Sequence, residues 1–306
     1  MKDKNAQDNM GYIAEGEKLG SKNGVLKMKL AAMGLWWIIC TLFSAFIMAS
    51  VSPDMSFGKK AVVCLIEGFV FMLIMYYLVF PMLLGREKKF SKYILEKINT
   101  EGVNHQLAAE IDAHLRTFQK TPTNAGFYNS WLMALVGYNV NVMNYGEAMR
   151  LLDLMDMYEM QRMYKYPTGK TQMVNYYTYR IMAAAGIDIG LMERFYGDAS
   201  RVFTECRGIS VMVDCCIDEA NADREIAYGR LDNAEQLIRG VMAVDSYAAS
   251  LDGNEMLGEC AAKRGDMEAA NRYFDTALTF TRSDFQRECI ERKRSKCMAG
   301  YVDKGN

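Results

Sequence analysis

The sequence TGKT at residues 168–171 is the stretch whose residue types come closest to a phosphate-binding loop. A loop of that kind needs a second glycine five residues before Gly169, and Tyr164 holds that position instead. The pattern also requires a buried strand just upstream, and the sequence predicts none there. The segment therefore does not predict nucleotide binding.

The two histidines, His105 and His114, flank the carboxylates Glu110 and Asp112. A separation of nine positions puts the histidines on different faces of a predicted helix, so they do not form a pair of metal ligands. We expect the two carboxylates to be solvated, and no Ser/His/Asp or Cys/His set indicates nucleophilic catalysis. The sequence predicts a protein that is not an enzyme, with no catalytic residue, cofactor site or metal site.

The eight cysteines include no CxxC pair, and a chain of 306 residues does not need disulfides to fold. Two histidines are too few to make a Cys/His zinc site plausible. We expect small buried thiols in a reducing compartment. The cysteines are Cys40 and Cys64 in apolar segments, and Cys206, Cys215, Cys216, Cys260, Cys289 and Cys297 towards the C-terminus.

The composition favours an all-α fold and excludes the charge pattern of a nucleic-acid-binding protein. The net charge is −1 and the isoelectric point is near 6.2, so no basic footprint is indicated. Runs of alternating Val, Ile and Thr are missing, and only 4 prolines occur. Methionine, with 24 residues, and tyrosine, with 18, are unusually common.

Two long apolar segments, residues 30–51 and 61–84, predict a transmembrane helical hairpin. The first has 22 residues and no charge, which is long enough to cross a hydrocarbon core of about 30 Å. A short polar turn, residues 52–60, connects them. A cleaved signal peptide is the alternative for the first segment, but the run is longer than such peptides use and no A-x-A site follows.

Basic residues predict the orientation of this hairpin. They are more numerous on its outer flanks than in the connecting turn, which holds only Lys59 and Lys60. By the positive-inside rule, both termini are predicted to lie in the cytoplasm of an integral membrane protein. A bacterial inner membrane suits this layout, and an organelle membrane is the alternative. The flanking residues are Lys18, Lys22, Lys27, Lys29, Arg86, Lys88, Lys89, Lys92 and Lys97.

Glu67 lies seven residues into the second predicted span, where a carboxylate is costly. Folding the hairpin places Ser44 at a similar depth in the first span. Two interpretations stay open: an ion or proton relay or a contact with a membrane partner, or a protonated or hydrogen-bonded residue with a structural role. A relay or a partner contact at Glu67 would make the protein a subunit of an integral membrane complex. In that complex the spans would carry the function and the repeats would serve assembly.

Three regions follow from these patterns. Residues 1–26 are polar, lack periodicity and predict a flexible cytoplasmic tail. Residues 27–98 comprise the hairpin and a juxtamembrane helix, on which Phe90, Tyr93, Ile94 and Ile98 share an apolar stripe and lysines meet lipid head groups. Residues 99–306 predict a cytoplasmic domain of successive helices.

A repeated pattern of buried positions runs through this domain. An alanine recurs at spacings of 51, 35 and 36, followed by a larger apolar residue four positions on and another apolar residue seven positions on. These positions share one helical face, and the small alanine lets two paired helices approach closely. The three sets are Ala148, Ala199, Ala234 and Ala270; Leu152, Phe203, Ile238 and Phe274; Met155, Cys206, Val241 and Ala277.

Residues 254–278, NEMLGECAAKRGDMEAANRYFDTAL, resemble a tetratricopeptide repeat. A weaker likeness extends over residues 126–282. The resemblance implies a stack of helix pairs with a concave face that binds a peptide or helix from another protein. A polar final helix at residues 283–299 would complete the stack. The matching positions are Leu257, Gly258, Ala261, Ala270, Phe274 and Ala277, while Arg282 replaces the closing proline.

The first spacing of 51 leaves about 15 residues beyond a repeat period of ~34–36, and they fall at residues 157–171. Met and Tyr side chains there and just beyond offer adaptable contact area, which predicts a partner-binding surface. The alternative is that they fill the core of a longer hairpin. The residues are Met157, Tyr158, Met160, Met163, Tyr164, Tyr166, Tyr176, Tyr177 and Tyr179.

The leading functional hypothesis is a membrane-anchored adaptor or scaffold. Repeats similar to tetratricopeptide repeats would bind a protein partner at the cytoplasmic membrane surface, and residues 30–51 and 61–84 would lie in the lipid bilayer. Neither nucleic acid nor a metal is expected as a partner.

Overall fold

The computed structural model describes residues 57–74, 80–121, 124–244 and 246–302, together with eight helical residues between 31 and 42. Within these ranges the chain forms helices and connecting loops, which confirms the predicted all-α class. The helices are α1 (Phe57–Ile74), α2 (Phe80–Glu101), α3 (His105–Thr117), α4 (Ala125–Asn141), α5 (Tyr145–Asp153), α6 (Met157–Met163), α7 (Pro167–Ala185), α8 (Ile189–Cys206), α9 (Val211–Ala227), α10 (Leu231–Met242), α11 (Tyr247–Arg264), α12 (Met267–Thr279) and α13 (Asp284–Val302).

The predicted membrane hairpin is only partly covered by these ranges. Among the described helices, none has both the length and the apolar character that crossing a bilayer requires. Most of residues 30–51, including Ser44, and residues 75–79 lie outside the described part of the chain, as does the predicted tail at residues 1–26.

Four helix pairs follow one another along the chain: α4 with α5, α7 with α8, α9 with α10, and α11 with α12. The loop inside each pair is two or three residues long, so the two helices run antiparallel. Gly229 and Gly265 close two of these loops with φ of 72° and 84°, a backbone conformation that favours glycine. We call the region from α4 to α13 the helix stack.

The second helix of every pair presents the predicted apolar face to the interior. All twelve positions of the alanine pattern are buried, and the four alanines are completely inaccessible. Gly258 shows how tightly the last pair packs, because a Cβ there would lie 3.0 Å from the ring of Phe274. The sequence therefore correctly identified the buried face of these helices.

The first two repeats are separated by an extra stretch at residues 157–171. Part of this stretch forms α6, a short helix between the first and second pairs. Asn129 on α4 fixes the turn before it, since its side chain donates to the Asp156 carbonyl at 3.1 Å and accepts from the Asp156 amide at 2.8 Å. The residues YPTGKT at positions 166–171 suggest a loop by composition, but only Tyr166 lies outside a helix. Pro167 begins α7, where proline's fixed φ suits the first helical turn.

The second half of α2 packs against α4, so the predicted juxtamembrane helix is joined to the stack. Ser91 and Ile94 are buried, and the indole Nε1 of Trp131 donates to Ser91 Oγ at 3.1 Å. Phe90 lies edge-on to Trp131 at 5.4 Å between ring centroids. The helix continues to Glu101, across the boundary predicted at residue 98.

The final helix, α13, packs on α11 and α12 and also reaches the start of the domain. Phe285 lies 5.0 Å from the ring of His105 and stacks on Tyr138 at 5.6 Å. Arg292 donates to the carbonyl of Val142 at 3.3 Å. The polar cap predicted at residues 283–299 is therefore also a closing element, because it links the last helix pair to α3 and α4.

Candidate functional site

The helix stack lines a cavity of about 560 Å³ that is partly open to solvent. Its walls come from the first helix of each pair, α4, α7, α9 and α11, and from α13. Because α13 bridges from the last pair to α4, it covers one side of the space that the first helices surround. The volume lies within the range of about 300–1,000 Å³ that ligand sites occupy.

Acidic side chains from α9 and α11 face Lys293 of α13 across this cavity. The Nζ atom of Lys293 lies 2.8 Å from Glu255 Oε1 and 3.3 Å from Glu259 Oε2. These three side chains lie deep in the stack, yet 21–23% of their surface is accessible. They keep this exposure because they face the cavity. The ion pairs hold α13 on α11. The cavity acids are Glu219, Asp223, Asp252, Glu255 and Glu259.

Asp223 is the cavity acid that, among the described residues, has a buried oxygen without a hydrogen-bond partner. Its Oδ2 atom is shielded and has no hydrogen-bond partner in the described part of the chain. Burial raises the pKa of this carboxyl to about 7; attraction to Lys293 opposes the rise, and repulsion from Glu259 and Glu255 adds to it. The carboxyl therefore keeps a proton under conditions that ionise an ordinary aspartate.

The pKa values of Asp252 and Glu219 are also raised. Burial, with a contribution from nearby Glu255, raises the pKa of Asp252 to about 7. Burial followed by repulsion from Asp252 and Asp223 raises the pKa of Glu219 well above its ordinary value. Three carboxyls on these two helices therefore hold their protons at pH values that ionise ordinary carboxyls.

The wall supplied by α7 is polar but uncharged. It carries Asn175, Thr178 and Tyr179, and the Thr178 hydroxyl donates to the carbonyl of Cys216 at 3.3 Å. Burial raises the pKa of Tyr179, which keeps its hydroxyl neutral. This wall can exchange hydrogen bonds with a bound chain, while the opposite wall carries the carboxyls and the ion pairs of Lys293.

The predicted Met/Tyr surface does not gather in one place. Met160, Met163 and Tyr176 are buried in the core, whereas Tyr158 leaves 78% of its surface exposed. Tyr179 lines the cavity. The remaining members, Met157, Tyr164, Tyr166 and Tyr177, are half-buried.

Most of the other residues singled out by sequence do not line the cavity, but Cys216 and Cys289 do. Glu67 is exposed on α1, and Ser44 lies outside the described residues. The His105 ring Nδ1 is 2.7 Å from the Tyr138 hydroxyl where α13 meets α4, and His114 packs on Phe90. The six cysteines named towards the C-terminus are free thiols.

Sequence reasoning missed the cavity acids. Glu219 and Asp223 are spaced i, i+4, and Asp252, Glu255 and Glu259 are spaced i, i+3, i+7, so each set shares one helical face. Such a stripe normally predicts a solvated surface. The signal that could have found them is that the two acidic stripes recur on the first helices of consecutive pairs.

No protein-family model, curated protein or solved structure matches this chain. Within the described residues, no group of three or more His, Cys, Asp or Glu side chains could hold a metal ion.

The elevated pKa of Asp223 predicts how stability depends on pH. The folded value of about 7 exceeds the ordinary value of about 3.9, so the folded chain binds the extra proton and loses stability as pH rises between them. Asp223→Asn removes this cost. We expect it to raise the free energy of unfolding by roughly 1–3 kcal/mol near pH 8 and by much less near pH 4.5.

Urea unfolding of the purified full chain, followed by circular dichroism at both pH values, measures this difference. Asp198→Asn on the exposed face of α8 is the matched control and should change little at either pH. An equal effect of Asp223→Asn at both pH values would contradict the assignment of a buried, proton-holding carboxyl.

Proposed function

We propose that the protein is a membrane-anchored adaptor whose helix stack binds an extended segment of a protein partner at the cytoplasmic membrane surface. The observation that carries the proposal is the cavity lined by the first helices of four consecutive pairs. The sequence resemblance implies a stack of helix pairs with a concave face that binds a peptide or helix from another protein, and here the first helices line the cavity.

The packing of the second helices supports this assignment of repeats. The alanines that set the repeat phase are completely buried, and Gly258 contacts Phe274 as closely as the resemblance requires. The insertion α6 accounts for the long first spacing without interrupting the succession of pairs. Together these features support a likeness that extends beyond residues 254–278 to all four helix pairs.

The polar wall of the cavity supports an extended segment as the occupant. Polar groups of α7 suit the backbone amides of an extended chain, which has no internal hydrogen bonds to satisfy them. The occupant proposed here is therefore a short linear segment of the partner.

The surface of α1 supports the membrane anchor. Seven of its large apolar side chains, Val62, Leu65, Ile66, Phe69, Val70, Leu73 and Ile74, leave 37–59% of their surface exposed. A contiguous apolar surface of this kind is unfavourable in water and is covered by lipid in an integral membrane protein. Lys88, Lys89 and Lys92 are exposed on α2, where they would meet anionic head groups.

Exposed Glu67 among the apolar residues of α1 favours a second candidate, a subunit of an integral membrane complex in which the spans carry the function. Under this alternative, Glu67→Gln abolishes function while binding by the helix stack persists. Under the adaptor proposal, the same substitution changes little.

Site-specific photo-cross-linking in intact cells tests the two functions. A benzophenone amino acid would replace Tyr179 in the cavity, Tyr158 on the outer surface or Phe69 on α1, one position per full-length chain. The adaptor proposal predicts an adduct with one polypeptide from position 179. Adducts from position 158 alone would favour the Met/Tyr surface, and adducts from position 69 alone would favour the membrane-complex alternative.

A further inference from the structure

The final helix, α13, is fixed to the last helix pair by buried contacts. Ile290 lies in an apolar cluster with Leu251 of α11 and Phe274 of α12. On the same side, Arg294 donates to Asp275 of α12 at 3.0 Å. Because these contacts are part of the core of the last pair, α11, α12 and α13 pack as one body, which we call the closing unit.

The contacts of α13 with the start of the domain are mostly polar and exposed. Glu288 approaches the His105 ring Nε2 at 3.4 Å, and these side chains are 47% and 55% exposed. Arg292 is 39% exposed and donates to the Val142 carbonyl at 3.3 Å. Contacts of this kind contribute little stability. We call this junction the seam; its members are His105, Tyr138 and Val142 on one side and Phe285, Glu288 and Arg292 on α13.

Between the two sides of the seam, the helix pairs form a row. Among the described helices, each pair packs mainly on the pairs before and after it in the chain. In such a row, small rotations between neighbouring pairs add up along the chain. The summed displacement is largest between the two ends, which meet at the seam. Flexing of the row therefore strains the seam first and leaves the core of each pair intact.

The seam also borders the cavity. Phe285 lines the cavity from α13, and Val140 and Tyr145 line it from the first pair. Lys296 of α13 lies 5.3 Å from the centroid of the Tyr145 ring, so this contact joins the same two sides. Parting of the seam would therefore widen the cavity between α13 and the first pair.

We propose that the seam is a gate: the closing unit swings away from α3 and the first pair, and the partner's extended segment enters the cavity sideways. This inference rests on the proposed function and specifies how access to that site is controlled. A segment in the middle of a partner chain has no free end to thread, whereas sideways entry requires only the seam contacts to break. The buried Phe285 ring favours the closed state before and after entry.

Double electron–electron resonance on the purified full chain in a non-ionic detergent tests whether the gate moves. Spin labels on ketone-bearing amino acids would replace Ala109 on α3 and Arg287 on α13, both exposed, so that native cysteines stay unlabelled. We expect a short and a long distance for this pair. A control pair at Thr279 and Arg287 lies within the closing unit and should give one distance.

Arg292→Ala removes a seam contact and should raise the ratio of long to short distances at least about twofold. Arg272→Ala is the matched control, because Arg272 is also exposed and pairs with a glutamate one turn away, but on α12 outside the seam. The control pair reports whether the closing unit stays folded in each variant. A single seam distance that Arg292→Ala leaves unchanged would overturn the proposal.

A locked seam tests sideways entry. His105→Cys and Glu288→Cys, whose native side chains approach at 3.4 Å, would be joined by a short bismaleimide in the purified chain with benzophenone at position 179. Burial raises the pKa of the described native thiols, which slows their reaction. In a detergent extract of the same cells, the locked chain should lose the adduct that His105→Cys alone retains. Equal adducts would overturn sideways entry.

The two proposals can fail separately. An adduct from position 179 in cells, together with a single seam distance, would retain the adaptor function and exclude the gate. Two seam distances without any polypeptide adduct would retain the moving seam and exclude the adaptor function.

Discussion

Lys293→Met is expected to lower the free energy of unfolding by about 2–4 kcal/mol and to loosen α13 from the stack. Lys293 lies between Glu255 and Glu259 at 2.8 Å and 3.3 Å, and methionine keeps most of its volume while removing the charge. Glu255 would then lose its ion-pair partner, and Glu259 would keep only the partly exposed Lys263. Urea unfolding near pH 8, followed by circular dichroism, measures the loss.

Lys263→Met provides the matched control. Lys263 shares the partner Glu259, but at 3.7 Å and with 43% of its side chain in solvent, so its removal should cost less than about 1 kcal/mol. Equal losses for the two variants would mean that Lys293 is no more than a surface charge. In that case α13 would not be held by the cavity ion pairs.

Gly169→Ala is the second variant with a large expected effect. A Cβ at this position would overlap the backbone carbonyl of Met163, so α6 and α7 would have to move apart. Strain of this kind costs about 3 kcal/mol, since backbone cannot rotate away as a side chain can. The loss should appear as a lower urea midpoint for the full chain.

The same substitution in an open position should act in the opposite direction. Gly197 lies within α8, and nothing would approach a Cβ there within 4 Å. Gly197→Ala should therefore stabilise the protein by about 0.5–1 kcal/mol, because alanine loses less backbone entropy in a helix. No loss of stability in Gly169→Ala would contradict the packing described between α6 and α7.

Local patterns in the sequence were sufficient for the class of fold and for the buried face of the second helices. Burial of an alanine and of residues four and seven positions later depends on helical periodicity alone, so the sequence by itself assigns Ala270 and Phe274 to the buried face. The start of α7 was harder to predict from the sequence. The residues TGKT suggest a turn by composition, but Pro167 in the first helical turn begins a helix there instead.

The candidate site depends on contacts between residues far apart in the chain. Phe285 meets His105 and Tyr138 only because four helix pairs curve until the last helix reaches the first pair. Periodicity shows that Asp223 and Lys293 belong to helices, but it does not show that both line one cavity. The Met/Tyr residues illustrate the same limit, since composition does not tell whether Met160 or Tyr158 faces the core.

The closure of the helix stack by α13 is the central claim, because it gives a row of helix pairs an acid-lined cavity. Its most direct test is an intramolecular photo-cross-link from a benzophenone amino acid at position 285 of the purified full chain, located by mass spectrometry. Contacts of the Phe285 ring at 5.0 Å and 5.6 Å predict cross-links to the segments that carry His105 and Tyr138. Cross-links confined to α11 and α12 would contradict the closure.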